Sequence, residues 1–258
     1  MDKNSNAYVL VFATAVCVVL ASGLAATFNG LKDRIAKNSL FDKQRNVLIA
    51  SGLFDPATEQ MTQEQLEQKF ATQVEARVLE FFEADVEKRV KVNHEEKTET
   101  VREVTSAAET DIEIADLPRV QREDKSRILG ELYVVTDDEG KTVYCMPISG
   151  YGLWSTLYGF LALEDDRDTV RGITFYKHGE TPGLGGEVEK EWWQGDWKGK
   201  RTHDSNGALV GITILKGRGN TRDDHQVDGI SGATITSNGV TNFVKADLQK
   251  YEVYFRDL

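Results

Sequence analysis

From Ala7 to Phe28 the chain carries no charged residue, and the stretch is rich in Val, Leu and Ala. As a helix these 22 residues (7 to 28 inclusive) span about 33 Å, enough to cross a hydrocarbon core of roughly 30 Å. The segment reads as a single transmembrane anchor in a lipid bilayer. A cleaved signal peptide is the competing reading, because Ala21-Ser22-Gly23-Leu24-Ala25-Ala26 offers small residues, although the apolar core of such peptides is typically about 7–15 residues. Lys3 precedes the run, whereas Lys32, Arg34 and Lys37 follow it. Counted alone, the positive-inside rule places the following domain in the cytoplasm. The run holds no carboxylate, so it is not expected to handle a cation within the membrane.

What remains is enough for one sizeable domain with a helical arm. The formal net charge is −11, and the first 30 residues contribute one Asp2 and one Lys3, which cancel. All of the acidity therefore lies beyond the anchor, and no basic stripe is offered to nucleic acid. The two cysteines, Cys17 and Cys145, fall in the apolar run and in a predicted strand. A disulfide is not expected, and no cluster exists for zinc or an iron–sulfur centre. Redox chemistry would have to come from an organic cofactor.

Leu31 to Leu53 keeps helical spacing until Gly52 and Pro56 signal a stop. Thr62-Gln63-Glu64-Gln65 has the form of a capping box for a helix carrying Leu66, Phe70 and Val74 on one stripe. Residues 74–92 fit a strand or a helix. Residues 93–127 are strongly polar and read as an exposed excursion that buries too little apolar surface to offset its ordering entropy. Strands are predicted at Ile128–Thr136 and Lys141–Ser149, joined by the hairpin signal Asp137-Asp138-Glu139-Gly140, and at Val170–Tyr176 and Ala208–Leu215. A last helix carries Val240, Phe243, Val244, Leu248, Tyr251 and Phe255 on one face, with Thr236 and Ser237 as candidate caps. The expected division is an anchor over 1–30, a helical arm and polar excursion over 31–127, and an α+β domain over 128–258.

Three separated segments are candidates for chemistry. Gly150-Tyr151-Gly152-Leu153-Trp154-Ser155 allows close backbone approach to a flat ligand, with Trp154 available to pack on a ring; it also fits a plain glycine turn. His178-Gly179-Glu180-Thr181-Pro182-Gly183-Leu184-Gly185-Gly186 is a glycine-rich loop whose polar groups suit the edge of a heterocycle. His178 with Glu180 alternatively suggests a metal or an acid–base pair, but no second such pair completes that site. In Asp228-Gly229-Ile230-Ser231-Gly232-Ala233-Thr234-Ile235-Thr236-Ser237, backbone amides at a helix start can converge on a phosphate and a threonine hydroxyl can meet it. An ordinary helix-capping loop fits the same residues. A threonine hydroxyl is a poor nucleophile without activation, so attachment by a separate enzyme is the expectation. No Gly-x-Gly-x-x-Gly fingerprint is present, and direct NADH binding is not expected.

Taken in order, the N-terminal span, Gly-Tyr-Gly-Leu-Trp-Ser, His178 to Gly185 and Asp228 to Thr234 make the chain resemble the C subunit of the bacterial sodium-translocating NADH:quinone oxidoreductase. More distantly it is similar to the G subunit of the Rnf electron-transport complex. The resemblance covers essentially the whole chain. It implies an FMN-binding α+β domain with FMN esterified through its phosphate to Thr234. Asp228, Ser231, Gly232 and Ala233 would complete the pattern read by a dedicated flavin transferase. By the same resemblance Trp154, Glu180, Thr181, Leu184, Gly185 and Lys216 line the flavin. The implied role is an electron relay among other subunits of the complex. The implied location is the outer, periplasmic face of the bacterial inner membrane, against the charge count around the anchor. A membrane-tethered receptor for a small ligand, or a scaffold subunit whose last motif is only a cap, are the competing functions.

Overall fold

The computed structural model describes residues 6–92, 95–256 and 258. It divides into two compact units, Met1–Lys43 and Gln44–Leu258. In the first, α1 (Asn6–Ala50) begins; among the described residues it is the one helix long and apolar enough to cross a membrane. Valine, leucine and alanine surround it on all sides, as lipid rather than a core would require. Its last turn belongs to the second unit, where Val47, Leu48 and Ala50 are buried. The predicted stop is found at Gly52, which takes φ +73° while the Leu53 amide reaches back to the Leu48 carbonyl at 2.8 Å. This left-handed turn favours glycine and satisfies the carbonyls at the helix end.

The second unit continues with α2 (Gln63–Gln73), β1 (Val74–Val92), β2 (Glu95–Thr110), α3 (Leu117–Glu123), β3 (Ile128–Thr136), β4 (Thr142–Tyr151), β5 (Thr156–Leu163) and β6 (Val170–Lys177). Then come α4 (Glu191–Gln194), the short β7 (Thr213–Ile214) and β8 (Gln226–Val227), and α5 (Thr234–Phe255). The capping box of α2 forms in both directions: the Gln65 amide donates to Thr62 Oγ at 3.3 Å and the Thr62 amide to Gln65 Oε1 at 2.8 Å. Thr62→Ala is expected to cost about 1 kcal/mol, read as a lower urea midpoint at unchanged slope.

Six strands form one antiparallel sheet in the order β2-β1-β3-β4-β5-β6. Leu132, Met146, Ile148 and Leu161 meet Val240, Val244, Leu248 and Tyr251 of α5 in the main core. On the opposite side of β3, Tyr133 meets Phe70 of α2 edge-on, with ring centres 6.1 Å apart. His203 Nε2 lies 3.0 Å from Glu252 Oε2 and His203 Nδ1 lies 3.3 Å from Asp168 Oδ1, tying the end of α5 to the start of β6.

Two expectations change. The polar stretch contains β2, which pairs with β1 along its length, so the sheet runs across the division placed at 127/128. Asn93 and His94 lie outside the described residues. This ribbon is held by its ladder and by cross-strand pairs such as Lys88–Glu103 and Arg102–Glu83, not by burial of large apolar groups. The strand expected over Ala208–Leu215 shrinks to Thr213–Ile214, which pairs in parallel with Gln226–Val227. Gly211, at φ +74°, interrupts the run.

Candidate functional site

The three motifs meet on one carboxylate. Glu180 is 5% exposed. Its Oε1 accepts the Trp154 and Ser155 amides at 2.9 and 3.1 Å, and its Oε2 accepts the Leu153 amide at 3.2 Å and Thr236 Oγ at 2.6 Å. One side chain of the second motif thus holds the turn of the first and the opening turn of α5. Ser155 Oγ adds a bond from the Gly179 amide at 2.6 Å. Desolvation pushes the Glu180 carboxyl up, but the bonds from Thr236 and the Trp154, Leu153 and Ser155 amides outweigh it and hold the pKa below its ordinary value. The ionised form is the one that accepts from all of these donors.

A carboxylate at this junction leaves room for no other atoms. A Cβ on Gly185 would sit 2.6 Å from Thr236 Oγ and 2.8 Å from Glu180 Oε2. Gly185→Ala is therefore expected to destabilise the domain by about 1–3 kcal/mol, measured by chemical denaturation of the flavin-free chain.

α5 starts at Thr234 with Ala233 at its cap position and no side-chain cap. Thr236 and Ser237, expected as caps, are instead buried inside the first turns: Thr236 is committed to Glu180, and Ser237 Oγ has no partner among the described residues. The first amides of a helix have no helical acceptors, which makes the start of α5 a place that favours an anion. Thr234 is exposed beside them, and its hydroxyl makes no hydrogen bond among the described residues. Gly232 takes φ +73°, and a Cβ there would lie 2.8 Å from Leu184 Cδ2, so the turn rests on the second motif. Ser231 is exposed and Ala233 buried.

The remaining predicted residues divide. Trp154 (65% exposed) and Leu184 (43%) present apolar surface at this junction, Thr181 is exposed, and Gly185 is buried under α5. Lys216 stands exposed on the loop that Asp228 grips. Tyr151 (64%) and Ile235 (58%) are exposed as well; both lie in the motifs singled out from the sequence but were given no place in the flavin lining there. Their signal was faint: an aromatic beside the first glycine turn and an isoleucine directly after the threonine. Outside α1, the other exposed large apolar side chains among the described residues are Leu153, Tyr158, Trp192, Phe82 and Leu258, so most of them come from these motifs or adjoining segments.

The FMN-binding domain family model matches residues 152–249, which include Glu180, Asp228 and Thr234. The chain is 41% identical to the C subunit of the Na(+)-translocating NADH-quinone reductase of Yersinia pestis, covering 91% of this chain and 84% of that protein. Against the corresponding protein of Pseudomonas aeruginosa the identity is 37%, over 94% and 91%. The chain belongs to the family of C subunits of Na(+)-translocating NADH-quinone reductases. Two crystal structures of this family share its fold at 25% identity. The Parabacteroides distasonis protein aligns with a TM-score of 0.61 over 87% of this chain and 96% of that one. NqrC of Shewanella oneidensis gives 0.62 over 84% and 95%.

An FMN group suits the residues found here. A helix start with no side-chain cap among the described residues and an exposed hydroxyl at Thr234 match a phosphate, and the exposed Trp154, Leu184, Tyr151 and Ile235 match a flat apolar ring system. The Glu180 carboxylate is engaged within the chain, by the Leu153, Trp154 and Ser155 amides and the Ser155 and Thr236 hydroxyls. It holds the loops that carry the exposed residues.

Proposed function

We propose that this chain is the FMN-carrying C subunit of a membrane NADH-quinone reductase, holding its flavin by a phosphoester to Thr234 and relaying electrons between neighbouring subunits. The observation that carries the reading is the exposed hydroxyl of Thr234, without a hydrogen bond among the described residues, at a helix start whose turn packs on Leu184 and whose Thr236 is tied by Glu180 to the Trp154 turn. FMN supplies electron transfer, including single-electron steps. The chain's own residues do the rest. Thr234 tethers, the first amides of α5 receive the phosphate charge, Trp154 and Leu184 bound the ring, and Glu180 holds both loops in place. Thr181, Gly185 and Lys216 complete the lining. An anchored cofactor cannot diffuse away, which suits a domain on the outer face of the inner membrane, away from cytoplasmic flavin. Lys32, Arg34 and Lys37 argue against that side, and thiol labelling of single-cysteine variants in intact cells and spheroplasts decides it. The chain is read as a carrier without its own NADH or quinone site.

Intact mass with peptide mapping tests the attachment: the peptide containing Thr234 is expected to gain about 438 Da, FMN less water. A colourless, unshifted chain from cells that contain a flavin transferase would count against it and in favour of a tethered ligand-binding module.

A further inference from the structure

We infer that Asp247 is a positioning residue for the flavin: by its bond to the Ser149 amide it fixes how α5, which starts at Thr234, lies against the end of β4, which carries Tyr151 and leads to Trp154. It thereby sets the distance between the point of tethering and the aromatic side chains that bound the ring. The inference rests on the attachment of flavin at Thr234 proposed above.

β3 and β4 form a ladder only where Tyr133–Thr136 faces Thr142–Cys145. Away from it β3 goes on pairing with β1 as far as Ile128, and β4 with β5 as far as Tyr151, so a split opens between β3 and β4. One ridge of α5, made of Gly239, Phe243, Asp247 and Tyr251 at four-residue spacing, meets the two edges of this split. A Cβ on Gly239 would sit 2.4 Å from the Tyr151 carbonyl oxygen, and one on Gly150 would sit 2.3 Å from Phe243 Cβ. Next along the ridge, Asp247 Oδ2 accepts the Ser149 amide at 2.9 Å, and the Tyr251 hydroxyl donates to the Glu131 carbonyl at 2.6 Å. Gly239, Phe243 and Asp247 of the helix thus meet Tyr151, Gly150 and Ser149 of the strand in turn.

The contacts at Gly239 and Gly150 are steric: they stop α5 from coming closer but not from tilting away. A hydrogen bond is directional, and the one from Ser149 to Asp247 holds the helix to the strand edge. Thr236, in the first turn of α5, is held by Glu180 at 2.6 Å. Asp247 lies about three turns further on. Two fixed points define the line of the helix, whereas the first alone would leave it a pivot beside the tether.

The test uses the full chain in detergent, isolated with flavin attached from cells that contain a flavin transferase and without flavin from cells that lack it. Wild type, Asp247→Ala, Asp247→Asn and Gly239→Ala are compared. Asparagine keeps an acceptor oxygen for the Ser149 amide. Gly239→Ala leaves Asp247 in place but drives the ridge away from Tyr151, at a helical position that otherwise favours alanine. In flavin-free Asp247→Ala the Ser149 amide is expected to exchange about tenfold faster, the effect of one lost hydrogen bond. Fluorescence per attached flavin, which contact with Trp154 and Tyr151 quenches, is expected to rise in Asp247→Ala and Gly239→Ala and to stay at the wild-type level in Asp247→Asn. Faster Ser149 exchange in Asp247→Ala with unchanged flavin fluorescence overturns the inference and leaves the attachment standing. Unchanged Ser149 exchange in that variant, or an Asp247→Asn chain that behaves like Asp247→Ala, overturns it equally. Should Asp247→Ala not fold, Gly239→Ala decides: raised fluorescence supports the inference and wild-type fluorescence overturns it. A wild-type chain that carries no covalent flavin overturns both this inference and the attachment reading.

Discussion

Thr234→Ala is expected to remove covalent flavin completely while leaving the domain folded. The first half follows from chemistry: alanine has no oxygen to esterify, and the neighbouring hydroxyls are poorly placed to substitute. Thr236 Oγ is held by Glu180 and Ser237 is buried, which leaves Ser231 as the one other exposed hydroxyl of the turn. The second half follows from the surroundings of Thr234, an exposed side chain without a hydrogen bond among the described residues. Exposed substitutions of this kind change stability by about 0.5 kcal/mol or less. Mass spectrometry should show loss of the roughly 438 Da increment, and thermal unfolding of the flavin-free forms should coincide. Quinone reduction by the assembled complex should fall to background with the other subunits still present. Retained flavin on a Thr234→Ala chain would move the attachment to Ser231 and sink the assignment.

Glu180→Ala is expected to be the most damaging substitution for the protein itself. It strands three backbone amides and one buried hydroxyl together, at a cost of about 2–4 kcal/mol, visible as a lower denaturant midpoint. Glu180→Gln should cost less, since its single oxygen still takes the Trp154 and Ser155 amides while its NH2 group opposes the Leu153 amide. The same clamp gives a pH dependence. The Glu180 pKa is lowered in the folded state, so its contribution is present above the unfolded value of about 4.3 and is lost as pH falls through the lower native value. Protection of the Leu153 to Ser155 amides should therefore persist at neutral pH and decline on acidification below the ordinary glutamate range. Protection that is insensitive to Glu180→Ala would mean that something other than this carboxylate holds the turn.

Much of the fold was legible because local signals agreed with the tertiary structure. Thr62 and Gln65 announced a helix start, Asp137 to Gly140 a hairpin, and the stripe from Val240 to Phe255 a helix with one buried face. β2 was illegible for a physical reason. The strand is held by its ladder to β1 and by cross-strand charges such as those of Arg102 and Glu103, whose partners lie in β1, and neither leaves a periodic apolar trace. The site showed the same split. The three motifs and their order were visible in sequence, whereas the hydrogen bonds by which Glu180 ties them together were not. A glutamate that lines a ligand and one that satisfies main-chain amides look alike until the loops around it are placed. Asp228 is similar, its four donors supplied by a loop seven to nine residues upstream.

The bond between Thr236 and Glu180 spans 56 residues, and it closes only when α5 has packed across β4. Contacts of such long range form late, after the loop-closure entropy has been met. During synthesis, the turn that presents Thr234 is thus among the last parts of the domain to acquire its shape. Under the attachment proposed above, a chain that carries flavin is expected to have docked its last helix already, and one stalled short of that point to remain unlabelled.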